Sequence, residues 1–500
     1  MTYARLVLVV LVCLAAGVAL NAPATDAAGN SVKSPDTLNS VGQSSSIALD
    51  GGIPVISYYD NTNANLKVLR CSNTTCGGAQ TAQSPDTSGN VGQYTSIALD
   101  GSSRPVVAYF DSTNHALKVL HCGNTTCTSS NTITTPDPNT VGTQTSLVLD
   151  AAGKPAVSYY NGHLRVLRCG DVNCSAGNTF ADPDTVGPVG FYSAIALTAG
   201  DLPVVSYYDQ KDGALKVLHC GNPTCTSGNT TNIPDINGDV GQYTSIALDP
   251  GTGNPTVSYY DATNGNLKIL HCGNATCSAG NNIAIPDATG DVGSYTSLVL
   301  DSAGKPIVSY RDQTNGNLKL LHCGNTTCTS GNVTTAVDST GNVGYDTSIA
   351  LDAGVPVVSY YDQSNQDLKV ARCADANCKG APASPDTDGD GCPDVKEQQT
   401  APGSQTSGGL RDYLNPWDYF EPTHNGQNRI NDILLVVHQY FIDQYLPSPP
   451  NPPNTPNPAY TTNTDRTTIG PNPWNLGPPN GQQRVDDILR VVQQYFHDCS

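Results

Sequence analysis

The chain has 500 residues, room for two to four ordinary domains, and a net charge of -19. Only 13% of residues are charged, and Glu397 and Glu421 are the only glutamates among 43 acids. Asp, Asn, Gly, Ser and Thr build turns and strand edges, so this composition disfavours a helix-rich enzyme and points to a β protein; the acidity excludes a nucleic-acid partner.

Residues 1–24 read as a signal peptide. Arg5 supplies the positive start, residues 6–20 form an apolar run, and Ala22-Pro23-Ala24 fits a cleavage site. The run is shorter than the ~20 residues that span a bilayer. No later segment is apolar enough for a membrane helix. The expectation is therefore a secreted or cell-surface protein with no membrane span after cleavage. Sixteen of the 17 cysteines lie beyond this segment, an even number suited to disulfides in an oxidising compartment.

From residue 30 to 385 the chain repeats with a period near 50 residues. Seven copies begin at Val41, Val91, Val141, Val189, Val240, Val292 and Val343. Each reads roughly V-G-Q-Y-T-S-I-A-L-D, then P-V-V-S-Y-Y-D, then L-K-V-L-H-C, then a polar stretch ending in P-D. Three strands per copy are plain, as at residues 245–248, 203–208 and 215–220, and a weaker fourth fits residues 229–234. Asn161-Gly162 marks a tight hairpin. The third strand is apolar on both faces and needs a neighbour on each side. Radial stacking supplies that, so the fold class expected is mainly β, a seven-bladed β-propeller, with a small α-helical module after it. Asn30 to Asp36 resembles a fourth strand and should complete the last blade.

The Ser-Tyr-Tyr-Asp block at Ser57 to Asp60, Ser206 to Asp209, Ser258 to Asp261 and Ser359 to Asp362 resembles that of secreted bacterial repeat proteins. The resemblance implies a propeller without implying one activity.

Fourteen cysteines fall in C-x4-C pairs, one per repeat. They are Cys71 with Cys76, Cys122 with Cys127, Cys169 with Cys174, Cys220 with Cys225, Cys272 with Cys277, Cys323 with Cys328 and Cys373 with Cys378. Each pair brackets the turn after the third strand, where a disulfide would clamp the hairpin. The rival reading is metal binding, because His121, His219, His271 and His322 precede four of the pairs. Adjacent strand residues point to opposite faces, which works against it. Cys392 and Cys499 are left over and expected to pair on parity alone. Sequons fall inside these turns at Asn73, Asn124, Asn173, Asn274 and Asn325.

Strand direction gathers the V-G-Q-Y segments at one channel mouth. Tyr94, Tyr192, Tyr243 and Tyr295 are the candidate ligand-binding residues there, able to stack on sugars or grip a peptide. Packing between blades is the competing reading of a recurrent tyrosine. Arg311 and Asp346 depart from the repeat and join the candidates for that reason. Pairs such as Asp60 with Lys67 read as hairpin closure rather than a catalytic network. The repeats contain no Glu, no sialidase-like Asp box and no G-x-S-x-G elbow. An extracellular ligand, such as a glycan, is the expected partner, and a monomer the expected state. A sialidase-like or other carbohydrate-active propeller enzyme is the alternative; it would need an Arg cluster facing paired carboxylates in the channel.

Residues 386–397 place Asp386, Asp388, Asp390, Asp394 and Glu397 at the EF-hand side-chain positions, with Gly391 at the sharp turn and the Cys392 carbonyl as a further ligand. The segment also resembles the thrombospondin type 3 repeat, and Ca²⁺ is the expected cofactor.

Residues 410–500 contain a second, twofold repeat. Asn425 to Leu434 matches Asn480 to Leu489, each copy leads into an amphipathic helix, and the Pro-rich stretch 447–458 joins them. The pair resembles dockerin modules, which implies docking on a cohesin-like surface protein. Thr423, Gln427, Pro478 and Gln482 depart from the acids of the dockerin loop, and a structural helix pair is the competing reading.

Overall fold

The computed structural model describes residues 29–138 and 142–380, together with the two-residue strands Thr467–Thr468 and Leu476–Gly477, which pair with each other. Residues 29–382 form one compact unit. The expectations for residues 1–24, the calcium loop at 386–397, Cys392 and Cys499, and the helices of 410–500 lie outside the described residues. Among the described residues no helix is long and apolar enough to cross a membrane.

The unit contains seven four-stranded antiparallel sheets, six of them meanders of consecutive strands. Blade 1 is built from β2 (Val41–Asp50), β3 (Ile53–Asp60), β4 (Asn65–Arg70) and β5 (Ala82–Asp86). The pattern recurs six times, with inner strands Val91–Leu99, Thr143–Leu149, Val189–Leu197, Val240–Leu248, Val292–Leu300 and Tyr345–Asp352. The ring closes as the sequence implied. β1 (Ser31–Asp36) pairs with Asp367–Arg372 and becomes the outer strand of blade 7. Asn30 clamps that seam, donating from its side chain to the Cys378 carbonyl (2.6 Å) and accepting from the Ala374 N–H (2.9 Å).

The core lies between blades. Val55, Leu66 and Val68 of blade 1 pack with Val91, Val107, Tyr109 and Leu120 of blade 2, and the same cluster recurs at each junction. One glycine per blade sets the spacing. At Gly92 a Cβ would stand 2.5 Å from Leu66 Cα of blade 1, and at Gly42 it would stand 2.6 Å from Leu368 Cα of blade 7. Only a residue without a side chain lets the two backbones approach so closely.

All seven cysteine pairs are joined within their own blades, with Cα atoms 4.7–5.0 Å apart. Cys71 bonds to Cys76, Cys122 to Cys127, Cys169 to Cys174 and Cys220 to Cys225. Cys272 bonds to Cys277, Cys323 to Cys328 and Cys373 to Cys378. All fourteen are buried and serve as structural clamps, away from the channel. The second cysteine of each pair stands in the left-handed region, a turn conformation that the sequence did not announce: Cys76 (φ 56°), Cys127 (55°), Cys174 (54°), Cys225 (58°), Cys277 (55°), Cys328 (57°) and Cys378 (53°). Each ends a tight turn by donating its N–H three residues back, as Cys76 does to the Asn73 carbonyl (3.3 Å) and Cys277 to that of Asn274 (3.0 Å). Closing so short a loop contributes about 2 kcal/mol each in the chain-entropy account. Three of the four histidines before the pairs, His121, His271 and His322, are engaged elsewhere. His121 Nε2 lies 3.0 Å from Asp100 and Nδ1 lies 2.8 Å from Asn173 of the next blade. In blade 1 Arg70 pairs with Asp50 in the same way, at 2.7 Å.

One expectation needs correction. The inner strand is longer than residues 245–248 suggested, running from Val240 to Leu248. The V-G-Q-Y segment is therefore strand, interrupted by a bulge, and not a free loop at the mouth.

Candidate functional site

The Ser-Tyr-Tyr-Asp block is explained first, because it occupies most of the polar chemistry. Its serine reaches the next blade: Ser57 donates to Thr95 Oγ1 at 2.8 Å, and Ser206 to Thr244 Oγ1 at 2.8 Å. Its first tyrosine is fully buried and donates backwards, as Tyr259 does to Asp235 on the outer strand of the preceding blade (2.8 Å). Lys268 joins the same carboxylate at 3.0 Å and also holds Asp261, the last residue of its own block, at 3.1 Å. Burial alone would push the Lys268 ammonium down; the two carboxylates outweigh it and hold it above its ordinary value. Burial, then Asp235, pushes the Tyr259 phenol well up. In six blades an Asp–Lys pair thus closes its hairpin and also latches the blade to its predecessor; in blade 3 Arg165 holds Asp137 of the preceding blade instead, at 3.1 Å.

The inner strands carry the candidate site. In blade 5, Gln242 pairs with Tyr260 and Ser245 with Ser258, so the inner strand has one residue more than its partner over this stretch. That bulge recurs in every blade and throws one residue into the left-handed region: Ser44 (φ 54°), Tyr94 (53°), Gln144 (56°), Tyr192 (53°), Tyr243 (53°), Tyr295 (55°) and Asp346 (48°). None is glycine, and four are bulky, so each conformation costs about 1 kcal/mol or more. Residues strained in this way cluster where a side chain has to be aimed.

The following residue stitches the ring. Thr95 donates to the Ser44 carbonyl (2.7 Å), Thr145 to Tyr94 (2.5 Å), Thr244 to Tyr192 (2.7 Å) and Thr296 to Tyr243 (2.7 Å). Thr347 donates to Tyr295 (2.8 Å), and Ser45 to Asp346 (2.9 Å). At the remaining step the Gln144 side chain accepts from the Tyr192 N–H at 2.5 Å.

Two cavities meet at this ring. The inner one, about 220 Å³, is lined by the seven ring residues and the seven hydroxyl residues that follow them. The outer one, about 390 Å³, is lined by the same ring plus Gln43, Tyr59, Asn61 and Gln93. All four additions belong to blades 1 and 2. The cup therefore leans to one side, over the small Ser44 that stands between Asp346 and Tyr94. Opposite, Tyr192, Tyr243 and Tyr295 form a fanned wall, with neighbouring ring centroids 4.5 Å apart and tilted by 43° and 40°. Burial pushes the Tyr295 phenol up to about 12, with the nearby Asp346 adding to it. Burial likewise raises the Asp346 carboxyl, against the pull of the Ser44 N–H, which donates to it at 2.7 Å. No Lys, no Arg and no second carboxylate lines either cavity.

Of the six candidates, the structure brings five to this ring: the four tyrosines and Asp346. The tyrosines both pack between blades and line the channel, and Tyr94 remains 41% exposed. Arg311 is elsewhere. It is 3% exposed, donates to the Val343 carbonyl (2.6 Å) and to Asn342 (2.7 Å), and stacks on Tyr345 with the guanidinium 3.8 Å from the ring centroid. It thereby replaces the contact that Tyr260 makes to Asp291 in the preceding blade (2.7 Å). Ser44, Gln144 and the cup residues Gln43, Asn61 and Gln93 were missed. Lining up the residue three places after each repeat's first valine would have found the first two.

The face with the disulfides holds a turn motif. Asn274 accepts from the Thr276 N–H and hydroxyl and from the Ser278 N–H. Asn222 accepts the same set, although Pro223 makes its segment no glycosylation acceptor. The Asn-x-Thr pattern is thus a structural turn. Among the described residues no group of three or more His, Cys, Asp or Glu could hold a metal ion.

No family model and no curated protein matches the chain. Solved structures do, at low identity. An ulvan lyase, a polysaccharide lyase, is 12% identical with a TM-score of 0.44, over 68% of this chain and 94% of that one. The NanB sialidase from Streptococcus pneumoniae is 12% identical with a TM-score of 0.39, over 67% and 68%. The calcium-binding protein regucalcin from Agrobacterium tumefaciens is 12% identical with a TM-score of 0.35, over 69% and 93%. At such identities the similarity is one of fold alone.

Proposed function

We propose that this is an exported, calcium-binding protein whose propeller is an extracellular binding or display module, with a carbohydrate held at the tyrosine ring. The observation that carries this reading is the seven-residue ring of left-handed, non-glycine positions, which turns four tyrosines, a glutamine, a serine and an aspartate onto one axis. Tyrosine faces suit the apolar faces of sugars. The side chains of Gln43 and Asn61 make no hydrogen bond to other described residues and are free for hydroxyl groups. A volume of about 390 Å³ falls in the ordinary range of small-ligand sites. Seven disulfides fit the oxidising compartment to which residues 1–24 would direct the chain. Calcium is assigned to residues 386–397 and docking on a surface partner to residues 410–500, both on sequence spacing.

A sialidase-like hydrolase draws less support. Glycoside hydrolysis ordinarily uses two carboxylates, and Asp346 is the only acid among the lining residues.

A glycan array, run beside a panel of glycosidase substrates, tests the reading with wild type and Ser44→Tyr. Tyrosine already stands in this conformation in four blades, so the ring accepts it, and at residue 44 it fills the low side of the cup. The variant should melt like wild type and lose glycan binding. Undiminished binding by the variant, or turnover of the substrates, would overturn the proposal.

A further inference from the structure

We infer that the bound glycan carries free ammonium groups, as glucosamine oligomers do, and that one of them sits on Asp346. This rests on the carbohydrate reading above and adds the charge of the ligand.

Asp346 is half-buried, and like the half-buried Asp239 and Asp291 it has no Lys or Arg partner among the described residues, but it alone of these lines the channel. The fully buried carboxylates are treated differently. Each of the thirteen buried aspartates has a Lys or Arg nitrogen within 4.0 Å. Asp346 has none, although it sits in the channel wall. One of its oxygens takes the Ser44 N–H, and the other has no hydrogen bond or ion pair to the described residues. Arg311, on the second strand of the preceding blade, offers no counter-charge either: it is committed to Asn342, Val343 and the face of Tyr345. A partly enclosed carboxylate without a cation is costly, and the cost disappears when a ligand brings the cation. The phenol rings beside it add to the attraction, since a cation over an aromatic face is stabilised by the ring quadrupole. Asp346 also flanks Ser44, the low side of the cup, where Gln43, Asn61 and Gln93 supply amides for the neighbouring hydroxyls. Amides, aromatic faces and one unpaired carboxylate together match an amino sugar better than an acetylated one, whose nitrogen bears no charge. A lysine-rich peptide shares the ammonium group but lacks the successive apolar ring faces that would lie along the tyrosine wall.

Calorimetry on the full chain separates these cases, with three probes: a glucosamine tetramer, an N-acetylglucosamine tetramer and a trimethyllysine peptide. Asp346→Asn is the matched variant. Its amide oxygen still accepts from the Ser44 N–H, and Asn tolerates the left-handed region, so its melting temperature should equal that of wild type. Wild type should bind the glucosamine tetramer about tenfold more tightly than the acetylated one, about 1.4 kcal/mol, and the variant should lose that preference. Equal affinities in wild type, or a preference that survives in the variant, would overturn the ammonium inference and leave the carbohydrate reading standing. Binding of the peptide but of neither tetramer would overturn both.

Discussion

Replacing Gly42 by Ala tests whether close backbone approach sets the blade spacing. At Gly42, φ is +101° and a Cβ would lie 2.6, 2.8 and 3.0 Å from Leu368 Cα, N and Cβ in blade 7. Carbon atoms rest at about 3.5–4.0 Å, so the two blades would have to part by about 1 Å at the seam. Forced positive φ costs about 1–3 kcal/mol, and overpacking a core contact about 1–3 kcal/mol more. The sum is about 2–6 kcal/mol. Gly51→Ala is the internal control. It lies in the same blade, also has positive φ (+57°), and has no atom within 4 Å of its Cβ position. Only the backbone penalty of about 1 kcal/mol applies there, offset in part by the stiffer unfolded chain. Urea unfolding followed by far-UV circular dichroism, with disulfides intact, compares the two. If Gly42→Ala is no more destabilising than Gly51→Ala, the blades are not held at the distance argued here.

Asp235→Asn should destabilise by about 1–3 kcal/mol in the same assay, since Lys268 keeps Asp261 and Tyr259 keeps an acceptor; a change below about 0.5 kcal/mol would remove the latch from the account. The pH dependence has two limbs. Asp184, Asp261, Asp287 and Asp338 have lowered folded values, so their contribution is complete above the unfolded value near 3.9 and is lost as pH falls through the folded ones. Lys118, Lys216, Lys268 and Lys369 have raised folded values, so theirs is complete below about 10.4 and is lost as pH rises through them. The latches therefore add no slope between about pH 5 and 10. With the raised carboxyl of Asp346 removed by Asp346→Asn, melting temperature should be flat over that range, and a sharp loss near pH 7 in that variant would contradict the latches. Paired Cys220→Ser and Cys225→Ser should cost about 2 kcal/mol and leave the other blades' disulfides intact by non-reducing peptide mapping. Calcium titration of the full chain should lose its strongest site in Asp386→Ala with Glu397→Gln; unchanged affinity would place the ion elsewhere.

The blades were legible because each copy repeats the same alternation of turn and apolar run, and closure was legible because Asn30 to Asp36 resembles a strand with no sheet of its own. What lay beyond reach was geometry between copies. Lys67 and Asp60 could be read as neighbours across one hairpin, but the closer contact of Lys67 is Asp36, at 2.7 Å, contributed by another blade. The bulge was hidden because Val-Gly-Gln-Tyr has no strand periodicity, and a positive φ at tyrosine leaves no mark in composition. Departure from the repeat proved an uneven guide. Asp346 departs and reaches the channel, whereas Arg311 departs only to rebuild a lost tyrosine contact from the other side of the same junction.

The seam at β1 sets a condition on how the molecule is made. Strand β1 pairs with a strand more than 330 residues later, so the ring cannot shut until nearly the whole propeller has been synthesised. Until then the third strand of blade 7 and β1 are both open edges, each able to recruit a strand from another chain. Contacts this distant in sequence form slowly, because the loop entropy is lost before the pairing compensates it. The local disulfides do not shorten that wait, since each closes only its own hairpin. They do allow finished blades to hold their shape while the ends search for one another, which favours correct closure over exchange between molecules.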